Sequence, residues 1–154
     1  MATLDPRVDV GHVHLKVSDL DRALDFYVGV LGFDVMARMG DEAAFISAGG
    51  YHHHIGLNTW ESKGAGPPPR NSTGLFHTAI RYPDRKTLAD AVRRVIDAGI
   101  PLSGASDHGV SEAIYLNDPD QNGVELYRDR PRDEWPEEMY TAPLDVQALL
   151  AELD

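Results

Sequence analysis

The chain contains an internal repeat, and a repeat restricts the fold more strongly than any single segment does. Residues 11–32 and residues 76–99 align at an offset of 65 residues, which matches His12 with His77. Each copy starts with the alternation of polar and apolar residues that is typical of a half-buried strand, and then changes to a helical period. The repeat therefore predicts two similar strand–helix units in tandem.

The two predicted helices have matching start and stop signals. Asp19 and Asp84 stand at equivalent positions, where an aspartate side chain can accept hydrogen bonds from the free N–H groups of a first helical turn. Gly32 and Gly99 follow the last periodic residues, as glycine commonly does at a helix C-terminus. The apolar stripes are Leu20, Leu24, Tyr27 and Leu31 in the first copy and Leu88, Val92, Val95 and Ile96 in the second.

The second half of each copy reads as a β-hairpin. Two apolar strands surround Gly49 and Gly50, and two more surround the turn sequence DPDQNG. Each module is thus βαβββ, and the predicted fold class is α+β, with two tandem βαβββ modules forming a cupped mixed β-sheet and the helices outside. The predicted organisation is a first module at 1–60, a linker at 61–75, a second module at 76–128 and a C-terminal extension with a short helix at 129–154.

The charge and composition of the chain exclude several classes of partner. Its formal net charge is -11, and both nucleic acids and anionic membranes require a basic surface. It has no cysteine, which excludes disulfides and thiolate metal sites. The first twenty residues lack the basic and apolar regions of a signal peptide, and no apolar run is long enough to span a membrane. We expect a cytoplasmic protein without nucleic-acid or membrane partners.

Two histidines are predicted to face the cavity between the modules. Strand residues alternate between faces, so His12 shares one face of the first strand with His14 and Lys16. His77 takes the place of His12 in the second copy. A pseudo-twofold relation between the modules would bring these two equivalent histidines together.

A carboxylate is predicted on the same side of the second module. Glu125 lies in the apolar strand GVELY, where an unpaired carboxylate would be costly. The hairpin register places Tyr115 opposite Glu125, so both side chains share a face. Two histidines and one carboxylate form the facial triad of non-haem Fe(II), and these ligands also suit Mn(II). The alternative is that His12 and His77 are hydrogen-bonded core histidines and that Glu125 pairs with an arginine such as Arg81.

Three motifs give the chain a family resemblance. HVHLKVSDLDRALDFYVGVLGF, FHTAIRY and DPDQNGVELY, between residues 10 and 128, resemble the vicinal oxygen chelate superfamily of glyoxalase I, extradiol dioxygenases and bleomycin-resistance proteins. Within it, GYHHHIGLNTW and the tail segments YRDRPRDEWP and LDVQALL resemble the small catechol 2,3-dioxygenase-like proteins. The resemblance covers most of the chain.

The resemblance implies a metal centre and a reaction. It makes His12, His77 and Glu125 the metal ligands, with Fe(II) as the expected metal and Mn(II) or another divalent ion as alternatives. Glyoxalase-type relatives use a fourth protein ligand at the position matching Gly56, and glycine has no side chain to coordinate a metal. The three remaining ligands therefore imply an extradiol-type ring-cleaving dioxygenase, whose partners are a small catechol-like aromatic diol and dioxygen.

The same resemblance implies roles for three further residues. His54 matches an acid–base histidine of extradiol dioxygenases, and an imidazole titrates close to working pH. Tyr115 matches a tyrosine that hydrogen-bonds the catecholate, and His108 is a second polar group over the cavity. The resemblance makes Gly56 face the metal. The alternation of strand residues then places His52 and His54 on the metal side and His53 on the opposite side.

Two other functions remain open at this point. A glyoxalase- or epimerase-like isomerase or lyase would keep the metal and would need a fourth ligand or a base near Gly56. A small-molecule binding protein of the drug-resistance type would lack the metal triad. The sequence also leaves open a homodimer through a sheet edge or the C-terminal helix, and whether His52 takes part.

Overall fold

The computed structural model describes residues 1–154, and its first half forms a four-stranded mixed sheet. Its strands are β1 (Val13–Lys16), β2 (Asp34–Met39), β3 (Ala43–Ser47) and β4 (Ile55–Asn58). Their spatial order is β1-β4-β3-β2. Because β1 pairs with β4 in parallel while the other pairs are antiparallel, β1 has a free edge.

The second half repeats this arrangement with one strand more. Its strands are β5 (Thr78–Tyr82), β6 (Gly104–Asp107), β7 (Ser111–Asn117), β8 (Gly123–Asp129) and β9 (Ala142–Pro143). Their order is β5-β8-β7-β6-β9, with β5 parallel to β8 and exposed along its other edge. The predicted fold class, α+β with two mixed sheets built from βαβββ units, is confirmed.

Both predicted helices are present and start at the predicted caps. Helix α1 (Leu20–Leu24) begins where the Asp19 carboxylate accepts from the backbone N–H of Arg22, and it continues as a π-helical turn over Asp25–Val30. Helix α2 (Arg85–Asp97) begins with a reciprocal capping box between Asp84 and Thr87. None of the helices combines the length and the apolar character that a membrane-spanning segment needs.

The C-terminal residues are built into the fold. Helix α3 (Val146–Leu150) packs on α2 and buries Leu149 and Leu150. The two-residue strand β9, which the sequence did not predict, extends the second sheet beyond β6. Short 3-10 turns cover Arg132–Glu134 and Ala151–Leu153.

The two modules share one core and a group of polar contacts between them, here called the polar lock, in which Asp118 and Asp120 bind Tyr27, Ser18 and Arg22. A single cluster of 22 buried apolar residues spans both halves. At its margin the buried hydroxyl of Tyr27 donates to Asp118 over 2.8 Å. In the same turn, Asp120 accepts from the backbone N–H of Ser18 and from the guanidinium of Arg22, at 3.2 and 2.7 Å. The DPDQNG turn of the second module thereby holds the start of α1 in the first.

Candidate functional site

A histidine and a carboxylate meet on one face of the second sheet. In the parallel register of β5 and β8, Ala79 lies beside Glu125, and His77, two residues before Ala79, projects from the same face. The His77 Nε2 atom is 2.8 Å from Glu125 Oε2, and the two side chains are 31% and 12% exposed. This half-buried pair is the centre of the candidate site.

A tyrosine and a second histidine extend the pair. Tyr115 lies directly opposite Glu125 in the β7–β8 hairpin, as the symmetry of the turn predicts. Its hydroxyl is 3.4 Å from Glu125 Oε1 and 2.8 Å from His108 Nε2. Burial raises the pKa of the Tyr115 hydroxyl, and the charge of Glu125 raises it further. Tyr115 is therefore a neutral hydroxyl at physiological pH.

A cleft of about 830 Å³ opens between the free edges of β1 and β5. His12, His54 and His77 all line it, and most of the remaining wall is apolar. The apolar and aromatic wall includes Val10, Val13, Phe33, Tyr51, Ile55, Leu75, Ile80 and Tyr127. A cleft with an apolar wall and a few converging polar groups suits a small, largely apolar ligand.

His12 lies in this cleft but does not join the pair. Its side chain is exposed, and its ring packs against the ring of His53 at a centroid distance of 4.3 Å. No three His, Asp or Glu side chains in the structure are grouped closely enough to hold a metal ion. The structure thus brings His77 and Glu125 together and places His12 on the same cleft, apart from them.

The pair nevertheless supplies two donors of the kind that a divalent ion binds. Buried His77 Nδ1 has no hydrogen-bond partner. Adjacent ligands of an octahedral ion bound at about 2.1 Å lie about 3 Å apart, close to the 2.8 Å between His77 Nε2 and Glu125 Oε2. Glu125 forms no ion pair with lysine or arginine; Arg81 instead contacts Asp129 at 3.3 Å. The alternative in which Glu125 pairs with an arginine such as Arg81 is therefore wrong.

The three consecutive histidines do not follow the predicted alternation. Strand β4 begins only at Ile55, so residues 52–54 belong to the preceding loop. The His53 ring packs against Phe45 at 5.1 Å and against His12, on the face that Phe45 shares with Gly56. The prediction that His53 points to the opposite face is wrong, because strand periodicity does not extend into the loop. His52 contacts the His53 ring through their Nδ1 atoms, 2.8 Å apart.

His54 is held by the end of β3. The backbone N–H of Ala48 donates to His54 Nδ1 over 3.3 Å, and Ser47 Oγ lies 3.2 Å from the same nitrogen. Since a backbone N–H can only donate, the neutral ring carries its own proton on Nε2. His54 therefore reaches the cleft as a hydrogen-bond donor, a tautomer assigned from its contacts.

The side chain of His14 occupies the space above Gly56. In the parallel register of β1 and β4, His14 lies beside Gly56, and a Cβ on residue 56 would lie 2.9 Å from the His14 ring. The His14 Nε2 atom is 2.9 Å from Asn58 Nδ2. Sequence reasoning missed this role of His14, although the residue was placed on the correct face.

Comparison with known proteins identifies the family. Residues 9–126 match the model of the Glyoxalase/Bleomycin resistance protein/Dioxygenase superfamily. The chain belongs to this superfamily. In the glyoxalase/dioxygenase structure from Nostoc punctiforme, which is 19% identical, the fold is the same, with a TM-score of 0.67 over 85% of this chain and 99% of that one.

Two relatives within the superfamily are longer than this chain. It is 40% identical to a catechol-2,3-dioxygenase of Bacillus subtilis (strain 168), over 99% of this chain and 54% of that protein. It is 33% identical to biphenyl-2,3-diol 1,2-dioxygenase 3 of Rhodococcus globerulus, over 82% of this chain and 65% of that protein. The chain thus spans between about half and two thirds of these relatives.

Gly123 makes room for the backbone that carries His77, which gives a first prediction. A Cβ on residue 123 would collide with the carbonyl oxygen of Phe76 and would lie 3.1 Å from His77 Cβ. We expect Gly123→Ala to lower the free energy of unfolding by about 1–3 kcal/mol, since overpacking forces the backbone to move. Urea denaturation measures this loss, and the His77 ring signals in an NMR spectrum report the displacement.

Gly104→Ala is the matched control for Gly123→Ala. Residue 104 lies in the same sheet, and its Cβ would lie 3.6 Å from the Tyr115 ring, an ordinary contact distance. We expect a change within about 0.5 kcal/mol for this variant. Equal stability of the two variants would contradict the steric role of Gly123.

Proposed function

We propose that this chain is a metal-dependent extradiol-type dioxygenase that cleaves the ring of a catechol-like aromatic diol. The proposal depends on one observation above all, the His77–Glu125 pair with Tyr115 and His108 on one face beside the cleft. The names of the two relatives, a catechol-2,3-dioxygenase and a biphenyl-2,3-diol 1,2-dioxygenase, support it.

His12, His77 and Glu125 would hold the metal, with Fe(II) as the first choice and Mn(II) as the second. Two imidazoles and a carboxylate are the protein ligands of non-haem iron oxygenases, where the metal leaves positions open for substrate and dioxygen and conducts electrons between them. The exposed His12 ring packs against the ring of His53. To join His77, which lines the same cleft, the His12 ring would have to leave this contact.

The remaining polar groups of the site would bind and orient the diol. Tyr115 keeps its proton, because burial and the charge of Glu125 both raise its pKa. When a diol is bound, this hydroxyl can turn from His108 to donate its proton to a phenolate oxygen beside Glu125. His54 holds a proton at Nε2 while Ala48 occupies Nδ1. This arrangement favours donation by His54, and accepting a phenolic proton at Nε2 would require its bond to Ala48 to break.

The apolar wall of the cleft suits the rest of an aromatic substrate. Phe33, Ile55 and Ile80 line the cleft beside the three histidines. Such a wall favours burial of an aromatic ring by about 25 cal/mol per Å² of apolar surface removed from water. It also limits the access of bulk water to the polar groups.

The isomerase or lyase alternative is disfavoured by the surroundings of Gly56. That chemistry needs a fourth protein ligand or a base near Gly56, and the side chain that fills this space is the His14 ring. Because His14 Nε2 accepts from the Asn58 amide over 2.9 Å, the neutral ring has no free lone pair for a metal ion or a proton. A small-molecule binding protein remains the second alternative, and metal binding separates it from both enzyme classes.

The decisive experiment is oxygen consumption by protein reconstituted anaerobically with Fe(II). A panel of catechols, including 2,3-dihydroxybiphenyl, is offered to the metal-loaded chain in an oxygen electrode, with Zn(II)-loaded and metal-free chain as controls. We expect one dioxygen consumed per diol, with a coloured ring-fission product, only in the Fe(II) or Mn(II) sample. Metal binding without uptake on any diol contradicts the dioxygenase assignment and directs the test to isomerisation of a hemithioacetal. No metal binding at all leaves the binding protein.

A further inference from the structure

The C-terminal residues reach into the candidate site through His108. Residues 140–143, here called the C-terminal strap, run beside the turn between β6 and β7 and end in the β9 pairing. The backbone N–H of Tyr140 donates to the carbonyl of His108 over 3.4 Å. On the side chain, His108 Nδ1 lies 3.2 Å from the Tyr140 carbonyl oxygen and 3.3 Å from Thr141 Oγ1.

The direction of these hydrogen bonds follows from the Tyr140 carbonyl group, which has no proton to donate. The carbonyl of Tyr140 can only accept, so His108 Nδ1 must carry a proton. The Nε2 atom of the neutral ring is then an acceptor, and it faces the Tyr115 hydroxyl at 2.8 Å. Tyr115 has one proton, and Glu125 lies farther away, at 3.4 Å. The hydroxyl therefore donates to His108 rather than to Glu125.

We infer that the C-terminal strap fixes His108 in its Nδ1–H tautomer and thereby directs the proton of Tyr115 away from Glu125. Tyr140 is then a positioning residue that acts through its carbonyl group, and the Thr141 hydroxyl is a second acceptor for the same N–H. The consequence for catalysis rests on the proposed function. A Glu125 carboxylate that accepts no hydrogen bond from Tyr115 keeps its lone pairs free for a metal ion.

Packing holds the carbonyl of Tyr140 in place. Gly109 has a φ of 76°, and a Cβ at this position would lie 2.5 Å from the Tyr140 ring and 2.8 Å from Pro136. The Tyr140 ring therefore lies directly on the turn that carries His108. An ion pair of 2.7 Å between Arg130 and Asp107 ties the start of the C-terminal segment to β6. Removal of the Tyr140 ring should loosen the strap without touching the site itself.

The test is the ring tautomer of His108, read from 15N–1H correlations of histidine-labelled full-length chain without added metal. Wild type and Tyr140→Phe, which keeps the ring on Gly109, should both show the unprotonated nitrogen at Nε2. Tyr140→Ala should show a mixture of the two tautomers, and about a tenfold lower kcat in the reconstituted enzyme, with KM changed less. Thr141→Val should keep the wild-type tautomer, because the carbonyl acceptor remains.

Several results would overturn the inference. An unprotonated Nδ1 in wild type contradicts the assignment directly and needs no variant. A tautomer switch in Thr141→Val would show that the hydroxyl donates to the ring. An unchanged tautomer in a folded Tyr140→Ala chain, which keeps the backbone carbonyl of residue 140, would show that packing of the Tyr140 ring does not hold this acceptor and would remove Tyr140 as a positioning residue. Because the NMR measurement needs neither metal nor substrate, it stands if the dioxygenase assignment fails.

Discussion

Replacement of His77 by alanine is expected to abolish ring-cleaving oxygen uptake. His77 Nε2 lies 2.8 Å from Glu125 and the ring lines the cleft, so the variant loses a proposed metal ligand and the partner of the carboxylate. Changes in the outer shell of a metal site typically cost 10- to 100-fold in affinity or activity. We expect the loss of a direct ligand to lower kcat/KM more than about a hundredfold, with a parallel loss of Fe(II) affinity in an anaerobic titration.

A matched histidine substitution controls for the loss of an imidazole as such. His52→Ala removes an exposed ring that contacts Tyr51 and His53 and does not line the cleft. We expect its oxygen uptake to stay within about threefold of wild type, since exposed substitutions usually have small effects. His77→Ala that retains Fe(II)-dependent uptake would remove His77 from the metal site.

A second variant separates the metal role from a structural one. Glu125→Gln keeps an oxygen that can accept from a ring N–H of His77 and keeps the volume of the side chain, while it removes the negative charge. We expect the free energy of unfolding of this variant to stay within about 1 kcal/mol of wild type, whereas its Fe(II) affinity should fall with that of His77→Ala. Two stable, folded variants that both lose the metal would establish the pair as ligands.

The sequence predicted those features of the fold that local chemistry determines. Asp19 and Asp84 start their helices because each carboxylate accepts a hydrogen bond from a backbone N–H a few residues further along the chain. Tyr115 faces Glu125 because a hairpin turn sets the register of both strands. These signals lie within one segment of the chain, so they can be read without knowledge of the rest.

The features that were missed depend on distant parts of the chain. The two-residue strand β9 is too short for a periodic pattern and forms only because β6 offers a free edge. The orientation of His53 depends on a loop after Gly49 and Gly50, both of which have positive φ. Likewise, the repeat predicts that His12 and His77 are equivalent, whereas the distance between them depends on how the two sheets pack.

Asp118 is expected to be the most important polar residue for stability. Its side chain accepts four hydrogen bonds of 2.8–2.9 Å, from the Tyr27 hydroxyl, the backbone N–H groups of Asp120 and Asn122, and the Asn122 side chain. The residue is 2% exposed. Asp118→Ala would leave the Tyr27 hydroxyl buried without a partner and would release the turn that holds the first module.

We expect Asp118→Ala to lower the free energy of unfolding by about 3–5 kcal/mol, because unpaired buried polar groups cost about 1–3 kcal/mol each. Asn117→Ala, at the exposed neighbouring position, is the control, and its effect should stay within about 0.5 kcal/mol. Urea denaturation followed by circular dichroism measures both variants. A loss below about 1 kcal/mol for Asp118→Ala would mean that water replaces the carboxylate and that the lock contributes little.

Tyr27 adds a pH dependence to the same lock. Burial, followed by the charge of Asp118, raises the pKa of the Tyr27 hydroxyl far above its ordinary value of about 10. Since the folded pKa lies above the unfolded one, the neutral hydroxyl contributes its full stabilisation below about pH 10, and this contribution falls as the pH rises further. Tyr27→Phe should therefore lose about 1–2 kcal/mol at pH 7 and show a weaker alkaline loss of stability than wild type. The double variant Tyr27→Phe/Asp118→Ala should lose less stability than the sum of the losses of the two single variants, because both substitutions remove the same hydrogen bond.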